Sequence, residues 1–235
     1  MPKLRNIEKQ LDITRRAYDK TVDYHKKGIN PLAVVPEKFK KSLKFKRFQT
    51  TYHSCNSGQP AIKKYLKPKP GMRFLDVGSS ANLANYRLDH WSATYYGIDI
   101  SPELIKAMKN FVLRENIKIG GLYVADIAKL PFKNNFFDIA AAIGVLEYYD
   151  IAYIKKALKE LNRVLKPEAK MVLDMPSLRH PDIDTMFEFE KYLGRPRLNI
   201  PTRQQFENEL KKIFSIDKID DSNLMIKYFA RTKKV

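Results

Sequence analysis

A single cysteine, Cys55, stands in 235 residues, so no disulfide can form within the chain. A lone thiol suits a reducing compartment, and the expectation is a cytoplasmic protein. Histidine is scarce as well, with four scattered copies. One cysteine and four dispersed histidines exclude the usual structural zinc site, and no metal is expected. No run approaches 18 apolar residues, so no segment is long enough to span a membrane as a helix. The first ten residues are polar and lack the apolar core of a secretory leader. No repeat with a period of 20–50 residues is present, which sets solenoids and propellers aside.

What is abundant is positive charge. Forty-four lysines and arginines face 26 acids, a formal net charge of +18. The resulting field suits RNA, DNA, an anionic lipid surface or an acidic small substrate, but a solvated lysine-rich surface has the same composition. The hydrophobic fraction of 44% is that of a globular protein able to build a core. The length fits one substantial α/β domain with an extension.

Residues 7–27 carry apolar side chains close to helical spacing, among them Ile7, Leu11, Thr14, Ala17, Tyr18 and Val22, and predict an amphipathic helix. A basic and aromatic segment follows over 38–48, alternating lysines with Phe39, Phe45 and Phe48. It suits phosphate and base stacking, or an anionic surface, or a structural arm whose rings fill a core. Residues 52–58 predict a loop. Residues 60–66 predict a short helix, ended by the cluster Pro68-Lys69-Pro70-Gly71, the clearest boundary in the chain. The expected division is an N-terminal helical and basic arm over 1–70, capping the site of a main domain over 71–235.

Beyond residue 71, strands and helices alternate. Strands are expected at 73–77, 93–98, 122–125, 137–143 and 169–175. Helices are expected at 84–89, 102–115 and 151–165. This rhythm predicts a parallel sheet with helices on both faces. Residues 176–201 read as a lid insertion carrying Phe187, Phe189 and Tyr192. A helix over 203–213, with Thr202 as its N-cap, then precedes two strands joined by a turn short enough for an antiparallel hairpin.

In an open parallel sheet, ligands bind beyond the carboxyl ends of the strands. The first end reads Asp76-Val77-Gly78-Ser79-Ser80-Ala81-Asn82, small residues that let a ligand approach the backbone before a helix begins. The second ends on Asp99, an acid placed to accept from ribose hydroxyls, or to cap the helix after it. The third carries Asp126 and Ile127, and the fourth Gly144-Val145-Leu146-Glu147.

These segments, in this order, resemble the class I S-adenosylmethionine-dependent methyltransferases, especially the subgroup with ubiquinone- and menaquinone-biosynthesis enzymes and many small-molecule methyltransferases. Leu75-Asp76-Val77-Gly78 is similar to the family's nucleotide loop, and Gly97-Ile98-Asp99-Ile100-Ser101 to its ribose-binding strand end. Asp126 with Leu130-Pro131-Phe132 is similar to its adenine-side segment, and the run 161–167 to the helix end before its fifth strand. The resemblance covers about residues 72–231. It implies a Rossmann-like seven-stranded sheet, mostly parallel with an antiparallel C-terminal hairpin strand, and S-adenosylmethionine as cofactor, with S-adenosylhomocysteine as product. It further implies that Gly78, Ser79, Ser80 and Asn82 hold the methionine part, with Asp76 near its amino group. Asp99 would hold the ribose, and Ile100, Asp126 and Ile127 would flank the adenine. Gly144 and Leu146 would line the methionyl tail. The chain departs from the pattern where Ser80 and Asn82 replace glycines and where Glu168-Ala169 replace two more. Asparagine tolerates positive φ better than most residues.

Methyl transfer from a sulfonium needs alignment and exclusion of water, and a base only where the acceptor starts protonated. Candidates for contact with the acceptor are His180 and Glu147 as catalytic groups, then Tyr148, Asp174, Tyr52 and His53. Cytosine-C5 chemistry is excluded, because its cysteine nucleophile is missing near the fourth strand end. A small-molecule acceptor is the first expectation. An RNA or protein methyltransferase using the basic arm is an alternative, as is a methyltransferase-like protein that only binds.

Overall fold

The computed structural model describes residues 2–52, 60–195 and 199–233. Of the loop predicted over 52–58, residues 53–58, with Cys55, lie outside them, and Tyr52 belongs to a helix instead. Helix α1 (Pro2–Lys26) opens the chain, followed by α2 (Glu37–Lys40), α3 (Leu43–Tyr52) and α4 (Pro60–Leu66). Strands β1 (Arg73–Val77), β2 (Thr94–Asp99), β3 (Gly121–Val124), β4 (Phe137–Ala142), β5 (Leu165–Pro176), β6 (Phe214–Asp220) and β7 (Met225–Thr232) form one sheet in the order β3-β2-β1-β4-β5-β7-β6. Pairing is parallel from β3 to β5, and β7 runs antiparallel to both its neighbours. The fold expected from the sequence is therefore the observed one. Helices α5 (Asn82–Tyr86), α6 (Pro102–Arg114), α7 (Ile151–Val164), α8 (Ile183–Tyr192) and α9 (Arg203–Ile213) complete it.

Local chemistry sets these boundaries. Ser101 caps α6 by accepting from the Leu104 amide, Asp150 caps α7 through Tyr153, and Thr202 with Gln205 forms a reciprocal capping box on α9. The helix after β1 is shorter than expected. Arg87 takes a left-handed φ of 48°, which ends α5 at Tyr86 and leaves a 3-10 turn at Leu88–His90. Strand β5 starts four residues early. Glu168 at φ 60° absorbs a kink beside Pro167, and the β4–β5 register shifts there.

Two cores flank the sheet, and α7, α9 and β7 pack the first around Leu75, Phe137 and Leu173. The second joins Phe74, Trp91, Tyr95 and Val172 with Ile62 and Leu66 of α4, so the sequence before residue 71 is built into the sheet's own packing. A third core unites the basic segment with the insertion after β5, joining Phe45 and Phe48 of α3 to Ile183, Met186 and Phe189 of α8. Arg47 closes it with an ion pair to buried Asp182. The segment 38–48 is thus a structural arm. Phe45 and Phe48 are 3% and 1% exposed, so these two rings are packed away from base stacking, and nothing in the fold supports the nucleic-acid reading. Among the described residues, no helix is long and apolar enough to cross a membrane, and no cluster of metal-ligating side chains is present.

Candidate cofactor cleft

The carboxyl ends of β1 to β4 open into one cleft, with about 500 Å³ of empty space counting the open solvent at its mouth. Gly78 and Ser80 line it from the first loop, Asp99 and Ile100 from the end of β2, Asp126 and Ile127 from the end of β3, and Gly144 from the end of β4.

The first loop is held by a buried acid. Asp76 is fully buried and accepts from the Tyr95 hydroxyl at 2.8 Å and from Asn82 Nδ2 at 3.2 Å. Burial pushes its carboxyl up to about 7. Asp76 therefore ties β1, β2 and α5 together beneath the loop and does not line the cleft. Asn82 likewise works from below: its side chain anchors on Asp76 and its backbone begins α5. The left-handed backbone falls two residues earlier, at Ser80 with φ 40°, and at Gly78 with φ 65°. Ser79 is buried, and its amide donates to the Ile98 carbonyl at 2.8 Å, stitching the loop to β2.

Asp99 organises the rim. Its two carboxylate oxygens accept from the amides of Ser80 at 2.8 Å and Ser101 at 2.9 Å. The carboxylate keeps lone-pair capacity for a ligand hydroxyl. Burial raises this carboxyl to about 6, against the lowering effect of those amides. Asp126 accepts from the Ala128 amide at 2.7 Å and the Tyr153 hydroxyl at 2.5 Å, both on Oδ1.

Several expected residues lie elsewhere. Leu146 is fully buried in the first core, and Val145 takes its place on the cleft wall. Glu147 is buried at 5% exposure and is not among the residues that line the cleft. His180 is not brought to the cleft either; its Nδ1 accepts from the Asp182 amide at 3.1 Å, within the turn that leads into α8. Asp174 accepts from the Gly144 amide at 2.8 Å and so positions the fourth loop. Tyr52 ends α3 next to the undescribed residues, and His53 is one of them.

An N-terminal arm capping the site and Tyr148 beside the acceptor are sequence expectations; the other residues of the cover are not. Thr14 and Tyr18 of α1 line the cleft, as do Tyr148, Tyr149 and Tyr153. Helix α1 is pinned there through Asp19, which accepts from Ser101 Oγ at 2.5 Å at the start of α6. Thr14 interrupts an otherwise apolar stripe, and that was the one available signal.

Comparison with known proteins agrees with this geometry. A methyltransferase-domain family model matches residues 75–173. A sterol 4-C-methyltransferase of Caenorhabditis elegans is 28% identical over 162 residues, covering 64% of this chain and 46% of the relative. A ubiquinone/menaquinone biosynthesis C-methyltransferase of a Ruegeria species is 26% identical over 144 residues, covering 59% and 56%. The chain thus spans about half the length of these relatives. The solved structure of a SAM-dependent methyltransferase from Methanosarcina mazei superposes with a TM-score of 0.59 at 20% identity, over 75% of this chain and 98% of that one.

Proposed function

Because residues 75–173 carry a class I S-adenosylmethionine-dependent methyltransferase domain, we propose that the protein transfers a methyl group from that cofactor to a small-molecule acceptor. One observation carries the reading: buried Asp99 and half-buried Asp126 stand at the ends of neighbouring parallel strands, in one cleft with the Gly78–Ser80 turn. That donor set fits a nucleoside with a polar tail. The Asp99 oxygens would accept from the ribose hydroxyls. Ile100 and Ile127 would sandwich the adenine, with Asp126 at its edge. The backbone of Gly78, Ser80 and Gly144 would hold the methionyl portion, and Val145 would pack beside it.

The cofactor supplies an electrophilic methyl on sulfur. The chain's own residues bind it, orient it and keep water away. The tyrosines and α1 that roof the cleft serve the last task. The two named relatives are a sterol and a quinone methyltransferase, which supports an apolar, small-molecule acceptor here. A reducing, cytoplasmic location belongs to the same proposal and rests on the single cysteine.

The test is transfer itself. Protein incubated with methyl-labelled S-adenosylmethionine and organic-extractable quinol and sterol candidates should move label into the organic phase, and Asp99→Ala should lose that transfer at limiting cofactor. Label that stays aqueous with every candidate would contradict an apolar acceptor.

A further inference from the structure

Four side chains, two of them at the roof of the cleft, form a chain whose direction is fixed by counting protons. The Tyr18 and Tyr148 hydroxyls lie 3.2 Å apart, and both residues line the cleft. The Tyr148 hydroxyl donates to Glu190 Oε2 at 3.2 Å. Arg195 forms an ion pair with that same oxygen at 3.2 Å, and its guanidinium lies over the Tyr18 ring at 4.8 Å. Glu190 is 1% exposed and Tyr148 is 3% exposed.

A carboxylate accepts and cannot donate, while a phenol carries one proton. The Tyr148 proton is therefore committed to Glu190, and in the Tyr18–Tyr148 contact Tyr18 must be the donor. Burial raises both phenols above their ordinary range, so both stay protonated. The Tyr18 proton is then also committed. What remains on the Tyr18 oxygen, in a residue that lines the cleft, is lone-pair capacity. A site of this polarity receives a hydrogen-bond donor and repels a carboxylate or phosphate oxygen.

Its place in the fold says which molecule it faces. Asp99 and Asp126 stand at the ends of β2 and β3. Tyr148 follows β4, and Glu190 lies in α8 after β5, so these two stand across the cleft from the nucleoside acids, and Tyr18 reaches Tyr148 from α1, which Asp19 holds at Ser101. We propose that Tyr18, polarised through Tyr148 by Glu190, is the specificity element for the methyl acceptor, selecting a neutral molecule that offers a hydroxyl or N–H hydrogen. This deepens the function proposed above and rests on it. Tyr18 touches the acceptor; Glu190 and Arg195 position and orient.

The experiment uses the full chain loaded with S-adenosylhomocysteine and three probes of one shape: 2-naphthol, naphthalene and 2-naphthoate. Calorimetry should show 2-naphthol binding at least tenfold tighter than either of the others. Tyr18→Phe removes the receiving oxygen and should erase the preference. Glu190→Gln brings in an amide able to donate, so the direction of the chain is no longer fixed; the preference should fall at least threefold while S-adenosylhomocysteine still binds. A purely structural role for Glu190 would not alter the ratio between probes. Equal binding of 2-naphthol and naphthalene, no binding of 2-naphthol, or a preference that survives Tyr18→Phe overturns the inference. Failure of S-adenosylhomocysteine to bind the wild-type protein would instead overturn the reading on which it rests.

Discussion

Gly78 is left-handed at φ 65°, and a Cβ built on it would stand 2.3 Å from Cγ2 of Val145. Space and backbone both demand glycine here, since left-handed backbone costs other residues about 1–2 kcal/mol and overpacking typically adds about 1–3. Gly78→Ala should therefore lower unfolding free energy by roughly 2–5 kcal/mol in urea titrations, and should push Val145 off the cleft wall. Asp76 offers a test by pH. Its folded carboxyl titrates at about 7, above its unfolded value, so its contribution to stability is full at low pH and is lost as pH rises through about 7. Relative to Asp76→Asn, wild type should lose stability between about pH 4 and 7, by at most about 4 kcal/mol. Urea unfolding across that range measures it, and a constant gap would contradict the burial argument. At this scale Gly78, Asp99 and Asp126 were legible in the sequence, because strand ends in a parallel sheet mark the binding edge. Asp76 and Asn82 were legible as loop residues, but their inward direction was not, because only the three-dimensional partner Tyr95 reveals it. His180 had a plausible position along the chain, yet its turn folds on itself.

Among the elements, the sheet was readable because its central strands are nearly unbroken apolar runs between glycine, proline and capping residues. What escaped were contacts between elements far apart in sequence. The stripe on α1 predicted burial, but not that Tyr18 would meet Tyr148, 130 residues away. Segment 38–48 showed alternating rings and cations without showing their partner, which is α8. Its rings form a network, with Phe45 at 5.4 Å and Phe48 at 5.6 Å from Phe189. Phe48→Ala should cost about 3–5 kcal/mol. The arm and α8 should then open together, seen as new proteolytic cleavage in both under native conditions. Cleavage in the arm alone would contradict their joint packing.

At the scale of the whole molecule, the charge of +18 decided little. The rings Phe45 and Phe48 of the basic arm are consumed in packing while most of its lysines stay exposed, and the function follows from a cleft lined by acids, hydroxyls and backbone. The fold, the cofactor edge and the short capping signals are local or periodic, so one sequence carries them. The roof over the cleft is tertiary, assembled from α1 and the tyrosines around α7, and no local pattern encodes it. The account's central claim is that this cleft binds a sulfur-bearing adenosine cofactor through Asp99. Calorimetric titration with S-adenosylhomocysteine, with NAD as control and Asp99→Ala alongside, tests it most directly. The account predicts micromolar binding to the wild type, weakened at least tenfold, about 1.4 kcal/mol, in the variant. No binding to folded protein, or equal binding to Asp99→Ala, would contradict it.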